Sequence, residues 1–189
     1  EKDQLKEDIQ EIELLITDLI EAERLNEEHA VLNAESTPIA AFVEGVCEQF
    51  ESYPGGVELE LPTQDREIVM DNLRVRLLIT NLVNNAIRHG EGNPIVVRVS
   101  FNGDFTHLEV EDNGEGIAEE HLSQISEPFY RADSSRQRNT GGFGLGLYLC
   151  RLIAKAHGGE LIIQSQLGEG TRIKVKLPPH PPLEEPMDR

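Results

Sequence analysis

Apolar residues recur along this chain with two periods, and the switching between them outlines its elements. From residue 1 to about 29, Leu5, Ile9, Ile12, Ile16 and Leu19 step by 4, 3, 4, 3, with Glu and Lys filling much of the remainder. That is the seam of one long bundle helix, which needs partner helices to cover it. No second helix of matching length and pattern stands beside it in the chain. Residues 30–36 read as a linker. Thr37-Pro38 then opens a second helix, with Thr37 as N-cap and Pro38 at the first helical position, running to about Ser52 before "YPGG". "VELELP" (57–62) alternates and predicts a strand, and 66–70 predicts another short one. Asp71 to His89 is helical again, with Gly90 as its stop. "IVVRVSFNGDFTHLEVED" (95–112) is two alternating runs around Asn102-Gly103, a hairpin signal. A short helix over 118–126 follows. Residues 127–142 carry no period and are long enough for a functional loop or lid. Helix 143–157 closes at Gly158-Gly159, and "ELIIQSQ" and "GTRIKVKLP" are two last strands joined by Gly168 and Gly170. There is no internal repeat. Two adjacent hairpins among helices predict an α+β fold, a largely antiparallel sheet with helices on one face. The Pro-rich tail from 179 to 189 is expected to be disordered.

Composition narrows the function classes. The 189 residues, 38% apolar, suffice for one domain plus a helical extension. A net charge of -18 repels phosphate backbones and argues against a nucleic-acid partner. Within that acidic chain, 131–138 carries three arginines and one aspartate, either a solvated loop or an anion contact. No apolar run approaches the roughly 18 residues that cross a bilayer, and no signal peptide is visible. The chain opens on Glu1, so it is expected to be a piece of a longer protein. Cys47 and Cys150 stand far apart without a CxxC or a His/Cys cluster, and read as buried, reduced thiols in a cytosolic setting.

Three local features carry candidate chemistry. On helix 71–89, Asn81, Asn85 and Arg88 share a face at i, i+4, i+7, and His89 follows one step round. Asn is a mediocre helix former, so these amides are either a solvated face or groups needed for a hard cation and a phosphate. In "EVEDNGEGI" (109–117) a strand ends in Asp112 before Gly114 and Gly116. That is either an ordinary turn or a carboxylate placed to accept from an exocyclic amine. "NTGGFGLGL" (139–147) sets four glycines before a helix start. It is neither a P-loop, which needs Gly-Lys-Ser/Thr, nor a dinucleotide fingerprint. Amides at a helix N-terminus attract phosphate, and glycines allow close approach.

Each feature alone is weak, and their order is specific. "NLVNNAIRHG", "DNGEGI", "EPFYR" and "GGFGLGL" resemble the N, G1, F and G2 boxes of the catalytic ATP-binding domain of sensor histidine kinases, in the GHKL ATPase superfamily. The resemblance covers about 37–178. It implies a two-layer Bergerat-type sandwich, with 1–30 resembling the second helix of a dimerisation and phosphotransfer hairpin, 31–36 a linker and 179–189 a tail. It implies ATP and Mg²⁺ as ligands. Asn85 is then the Mg²⁺ ligand, Arg88 a phosphate contact, and His89 a ring near the nucleotide. Asp112 reads adenine, with Gly114, Gly116 and Ile117 beside it and Thr171 supporting the aspartate through water. Gly142, Gly144, Leu145 and Gly146 line the phosphate side, and Arg131 and Arg136 of the lid reach the triphosphate. Phe143 stands where the family often has Thr.

Position 81 separates transfer from hydrolysis. ATP-hydrolysing relatives such as gyrase and mismatch-repair ATPases carry Glu there to deprotonate water. Asn81 cannot act as a base near neutral pH, so ATP should await an external nucleophile. The resemblance implies that the nucleophile is a histidine followed by an acid and, at +5, a proline. None of His29, His89, His107, His121, His157 and His180 fits. The expected protein is therefore the kinase portion of a two-component sensor, cytoplasmic beside the inner membrane, that serves a response regulator. Its acceptor hairpin lies elsewhere in the intact homodimer, and this chain alone is expected to be monomeric or weakly self-associating. A GHKL-type ATPase and a degenerate nucleotide-sensing module are the alternatives.

Overall fold

A computed structural model describes residues 2–26, 31–132 and 143–182. In chain order the elements are α1 (Lys2–Asn26), β1 (Ala34–Pro38), α2 (Ile39–Cys47) with a 3-10 turn at Glu48–Phe50, β2 (Val57–Glu60), β3 (Glu67–Asp71) and α3 (Asn72–His89). Then come β4 (Ile95–Asn102), β5 (Phe105–Asp112), α4 (Glu119–Leu122), α5 (Gly146–Ala156), β6 (Glu160–Gln166) and β7 (Gly170–Leu177). The main sheet has the order β2-β4-β5-β7-β6, antiparallel throughout except for the parallel β2–β4 pair. β1 and β3 form a separate antiparallel pair. The α+β expectation holds, and no described helix is long and apolar enough to cross a membrane.

Strand alternation builds the core. Ile95, Val97 and Val99 of β4, Leu108 and Val110 of β5, and Ile173, Val175 and Leu177 of β7 face inward and are buried. Helices α3 and α5 cover them with Leu78, Ile79, Leu82, Val83, Leu149 and Ile153, all fully buried. The other face of the sheet is an ion lattice. Arg98 bonds Glu60 and Glu109, Arg172 bonds Glu111, and Lys174 pairs with Glu109. Cys47 and Cys150 are free and buried.

Two expectations near the start of the domain are corrected. Part of the expected 31–36 linker, from Ala34, is strand, and Pro38 ends that strand instead of entering the helix. Thr37 does not cap α2; its hydroxyl donates to Asn72 Oδ1. The cap comes from afar. Asp65, in the β2–β3 connection, accepts from the amides of Ala40 (2.8 Å) and Ala41 (3.0 Å). Partial burial raises the Asp65 carboxyl, but those amides and that of Arg66 outweigh it and hold its pKa below the usual value. The tail is also partly ordered. The Pro179 carbonyl accepts from Val69 N–H at 2.8 Å, while 183–189 lie outside the described residues.

α1 is not left without company. Ile9, Ile12, Ile16 and Leu19 of the seam are exposed, as an uncovered bundle helix requires. A second stripe on the same helix, Ala22 and Leu25, is buried in the core cluster. Asn26 Nδ2 donates to Tyr148 Oη of α5 at 2.8 Å, and Glu21 pairs with Arg74 of α3 at 3.5 Å.

One buried histidine ties these layers together. His157, 2% exposed at the end of α5, accepts from Asp71 N–H at Nε2 (3.0 Å), and its Nδ1 faces the Ile153 carbonyl (2.8 Å). Asp71 in turn caps α3 through Arg74 N–H and accepts from Asn33 N–H. The imidazole must therefore be neutral, with its proton on Nδ1. Burial pushes its pKa below 6.5, against the opposing pull of the Ile153 carbonyl and the Asp71 charge. A folded pKa below the unfolded one gives stability that is complete above about pH 6.5 and is lost as pH falls through the folded value. Thermal melts from pH 5 to 8 should show this loss. His157→Phe should cost about 1–3 kcal/mol at pH 7.5 by orphaning the Asp71 amide and should flatten the dependence below pH 6.5. An unchanged slope would assign it to other groups.

Candidate functional site

A cleft of about 630 Å³ lies at one end of the sheet between α3 and α5. Its floor follows from strand parity. Thr106, Leu108, Val110 and Asp112 share the inward face of β5, so the carboxylate is the last member of a core row. β7 pairs Thr171 directly with Asp112, and β6 pairs Ser165 with Thr171. The three stand abreast. Asp112 is 4% exposed and accepts from Gly114 N–H at 3.0 Å, with the Thr171 amide close by. Burial raises its carboxyl pKa; those two amides and the nearby His89 work against the rise.

The glycines are required chiefly by protein backbone. A Cβ on Gly114 would lie 1.8 Å from the His89 carbonyl oxygen, and one on Gly116, at φ 68°, 2.0 Å from that of Gln166. The 113–117 loop is therefore pressed between the end of α3 and the β6–β7 turn, where Gly168 N–H donates to the Glu115 carbonyl. His89 Nδ1 lies 3.1 Å from Glu115 Oε1. Ile117 N–H donates to Ser165 Oγ at 2.8 Å.

One wall is the polar face of α3: Asn81, Asn85, Arg88 and His89 all line the cleft. The opposite wall is the start of α5, with Gly144, Leu145 and Gly146. Leu145 is the N-cap and supplies no side-chain cap, so among the described residues no side chain claims the amides of the first turn of α5. Gly146 sits against Asn81, where a Cβ would be 3.4 Å from Oδ1. Asn81 Nδ2 is buried without a hydrogen-bond partner. Phe129 ties the end of the 127–132 segment to the start of α5: its N–H donates to the Gly144 carbonyl (3.0 Å) from a left-handed φ of 63°. Tyr130 Oη contacts His121 Nδ1 at 2.7 Å, and Arg151 of α5 holds Glu127 at 2.8 Å.

α1 also reaches the cleft, through Leu15 and Asp18. Burial pushes the Asp18 pKa up to about 6, tempered by the Asn81 amide. The attraction between these two groups falls short of a formed hydrogen bond, since Nδ2 keeps no partner.

Of the residues singled out from sequence, Asn81, Asn85, Arg88, His89, Asp112, Gly116, Ile117, Arg131, Gly144, Leu145, Gly146 and Thr171 line this one cleft. Gly114 shapes its floor from behind. Arg136 and Gly142 lie outside the described residues. Three contributors were missed: Leu15, Asp18 and Ser165. Leu15, Asp18, Ala22 and Leu25 step by 3, 4, 3, which is a second stripe visible in sequence. Ser165 gave no signal, because only the strand register places it. Among the described residues no group of three or more His, Cys, Asp or Glu gathers to hold a metal. Asn85, half-buried in the cleft, offers a carboxamide oxygen. That suits a cation such as Mg²⁺ that takes few protein ligands and the rest from phosphates and water.

The chain is similar to several known proteins. Sensor protein SrrB of Staphylococcus aureus is 32% identical over 94% of this chain, which spans 32% of that protein, about a third of its length. Acinetobacter baumannii histidine kinase AdeS superposes with a TM-score of 0.76 at 24% identity, over 93% of this chain and 82% of that one. The catalytic domain of histidine kinase ThkA does so at 0.69 and 24%, over 79% and 98%. Full-length ShkA, solved in complex with AMPPNP, gives 0.77 and 24% over 98% and 39%. The sequence profile of the histidine kinase-, DNA gyrase B-, and HSP90-like ATPases matches residues 70–181, which cover the cleft apart from its α1 edge, and the chain belongs to that family.

Proposed function

We propose that this chain is the Mg-ATP-binding kinase portion of a two-component sensor histidine kinase. It passes the γ-phosphoryl group to a histidine outside residues 1–189, for relay to the receiver domain of a response regulator. The observation that carries the reading is one cleft holding an amine acceptor, Asp112, at one end and the first-turn amides of α5 at the other, with an amide rather than an acid at position 81. SrrB is a sensor protein, AdeS and ThkA are histidine kinases, and ShkA was solved with AMPPNP, which supports it. Residues 37–178 form the ATP domain, and α1 is the second helix of the phosphotransfer hairpin. The protein works at the cytoplasmic face of a membrane.

Each residue has a distinct task. Asp112 takes the exocyclic amine of adenine, and Ile117 and His89 flank the base. The amides of Gly144 to Leu147, with Arg88 and Arg131, face the phosphates, and Arg136 and Gly142 complete that set. Asn85 would hold Mg²⁺, which when bound neutralises charge building on the phosphates. Asn81 leaves water without a proton acceptor, so the triphosphate survives until a histidine docks.

Calorimetric titration checks the site. Wild type should bind Mg-ATP, Asp112→Ala should weaken binding about 10- to 100-fold, and Asn85→Ala should lose the part of the affinity that Mg²⁺ adds over EDTA. Binding indifferent to both substitutions would refute the assignment. Adding the acceptor hairpin in trans should then move radiolabel from γ-labelled ATP to histidine.

One observation favours the ATPase alternative. Asp18, with its pKa at about 6, is a carboxylate at pH 7.5 and stands beside Asn81. If it served as the base, the chain alone would turn ATP over steadily and Asp18→Asn would stop it. The kinase reading expects negligible turnover without an acceptor and no such effect of Asp18→Asn.

A further inference from the structure

Ser165 makes three hydrogen bonds, and counting protons among them fixes the polarity of the cleft floor. Its Oγ accepts from Ile117 N–H at 2.8 Å and donates to the Gly170 carbonyl at 2.7 Å. A carbonyl only accepts, so the single hydroxyl proton of Ser165 is committed there. The remaining contact, Ser165 Oγ to Thr171 Oγ1 at 2.8 Å, therefore has Thr171 as its donor. Thr171 has then spent its own proton, and toward the cleft its oxygen can only accept. Its neighbour across the ladder is the Asp112 carboxylate, itself an acceptor.

From this geometry we infer that Ser165, which the sequence did not single out, is a positioning residue that sets nucleotide-base specificity by forcing Thr171 to act as an acceptor beside Asp112. The floor then presents two acceptors side by side and selects an amine that brings two N–H donors on one nitrogen. A 6-amino purine supplies that group. A 6-oxo purine sets an acceptor against two acceptors, and no rotation of Thr171 relieves the mismatch while Ser165 holds its proton. A site that leaves its polar groups unpaired against the wrong ligand discriminates strongly. Ser165 also anchors Ile117, so one hydroxyl governs both the wall beside the base and the polarity beneath it.

The inference rests on the adenine-nucleotide reading above, and the test separates the two. The full chain is titrated with Mg-ATP and with Mg-ITP, which is ATP with the 6-amino group replaced by oxygen. Wild type should prefer ATP. Ser165→Ala frees the Thr171 proton to face a 6-oxo group, so the ATP:ITP affinity ratio should fall about tenfold, the size of one hydrogen bond. Thr171→Val should lower the ratio similarly, and adding Ser165→Ala to it should change nothing more, because the effect passes through the Thr171 hydroxyl. Ser165→Thr keeps a hydroxyl and should keep the wild-type ratio. A merely structural role would weaken both nucleotides equally. A folded Ser165→Ala protein with the wild-type ratio, or a ratio lost equally in Ser165→Thr, overturns the inference. Wild type that binds neither nucleotide overturns the adenine reading itself and this inference with it.

Discussion

A carboxylate at the end of an apolar row is the constraint on which the rest of this structure depends. Asp112 faces inward because Leu108 and Val110 do, and parity allows no other choice. Burying that charge is costly unless hydrogen bonds meet it, and the Gly114 amide does so while the Thr171 amide lies close by. The first needs a loop folded back tightly, hence glycines at 114 and 116. The second needs β7 paired in register with β5. Sheet topology and loop composition are thus consequences of placing one carboxylate at the floor of the cleft.

The same logic extends to the far wall. Among the described residues, the first turn of α5 has no side-chain cap. In an ordinary domain that end would take Ser or Asp, as α3 takes Asp71. An open end costs stability, and in the proposed function the phosphates offset that cost. α1 closes a third side by putting Leu15 and Asp18 at the edge of the cleft.

Much of this was legible in the sequence because much of it is local. Period-two runs in β4, β5 and β7 and the 3.6-residue period of α3 set those elements almost to their ends, and the order of the four boxes located the cleft. What the sequence hid was set by distant pairing. Thr37-Pro38 looks like a helix start, yet β1 claims it by pairing with β3, and α2 is capped by Asp65 from another loop. Ser165 looks like any polar strand residue, and only the β5–β7–β6 register sets it beside Thr171. Gly90 does stop α3, as its C-cap with φ -78°, and what it supplies is space, since a Cβ there would meet the Ala86 carbonyl oxygen at 2.6 Å. The seam on α1 was visible, and the weaker stripe that docks on the domain was overshadowed by it.

The central claim is that the inward row at the end of β5 and β7 reads an exocyclic amine. A crystal structure of this chain with ADP tests it most directly. The account predicts the 6-amino nitrogen within about 3 Å of both the Asp112 carboxylate and Thr171 Oγ1, with the phosphates at the start of α5. A base bound elsewhere, or turned so that its amine faces away from Asp112, would contradict it.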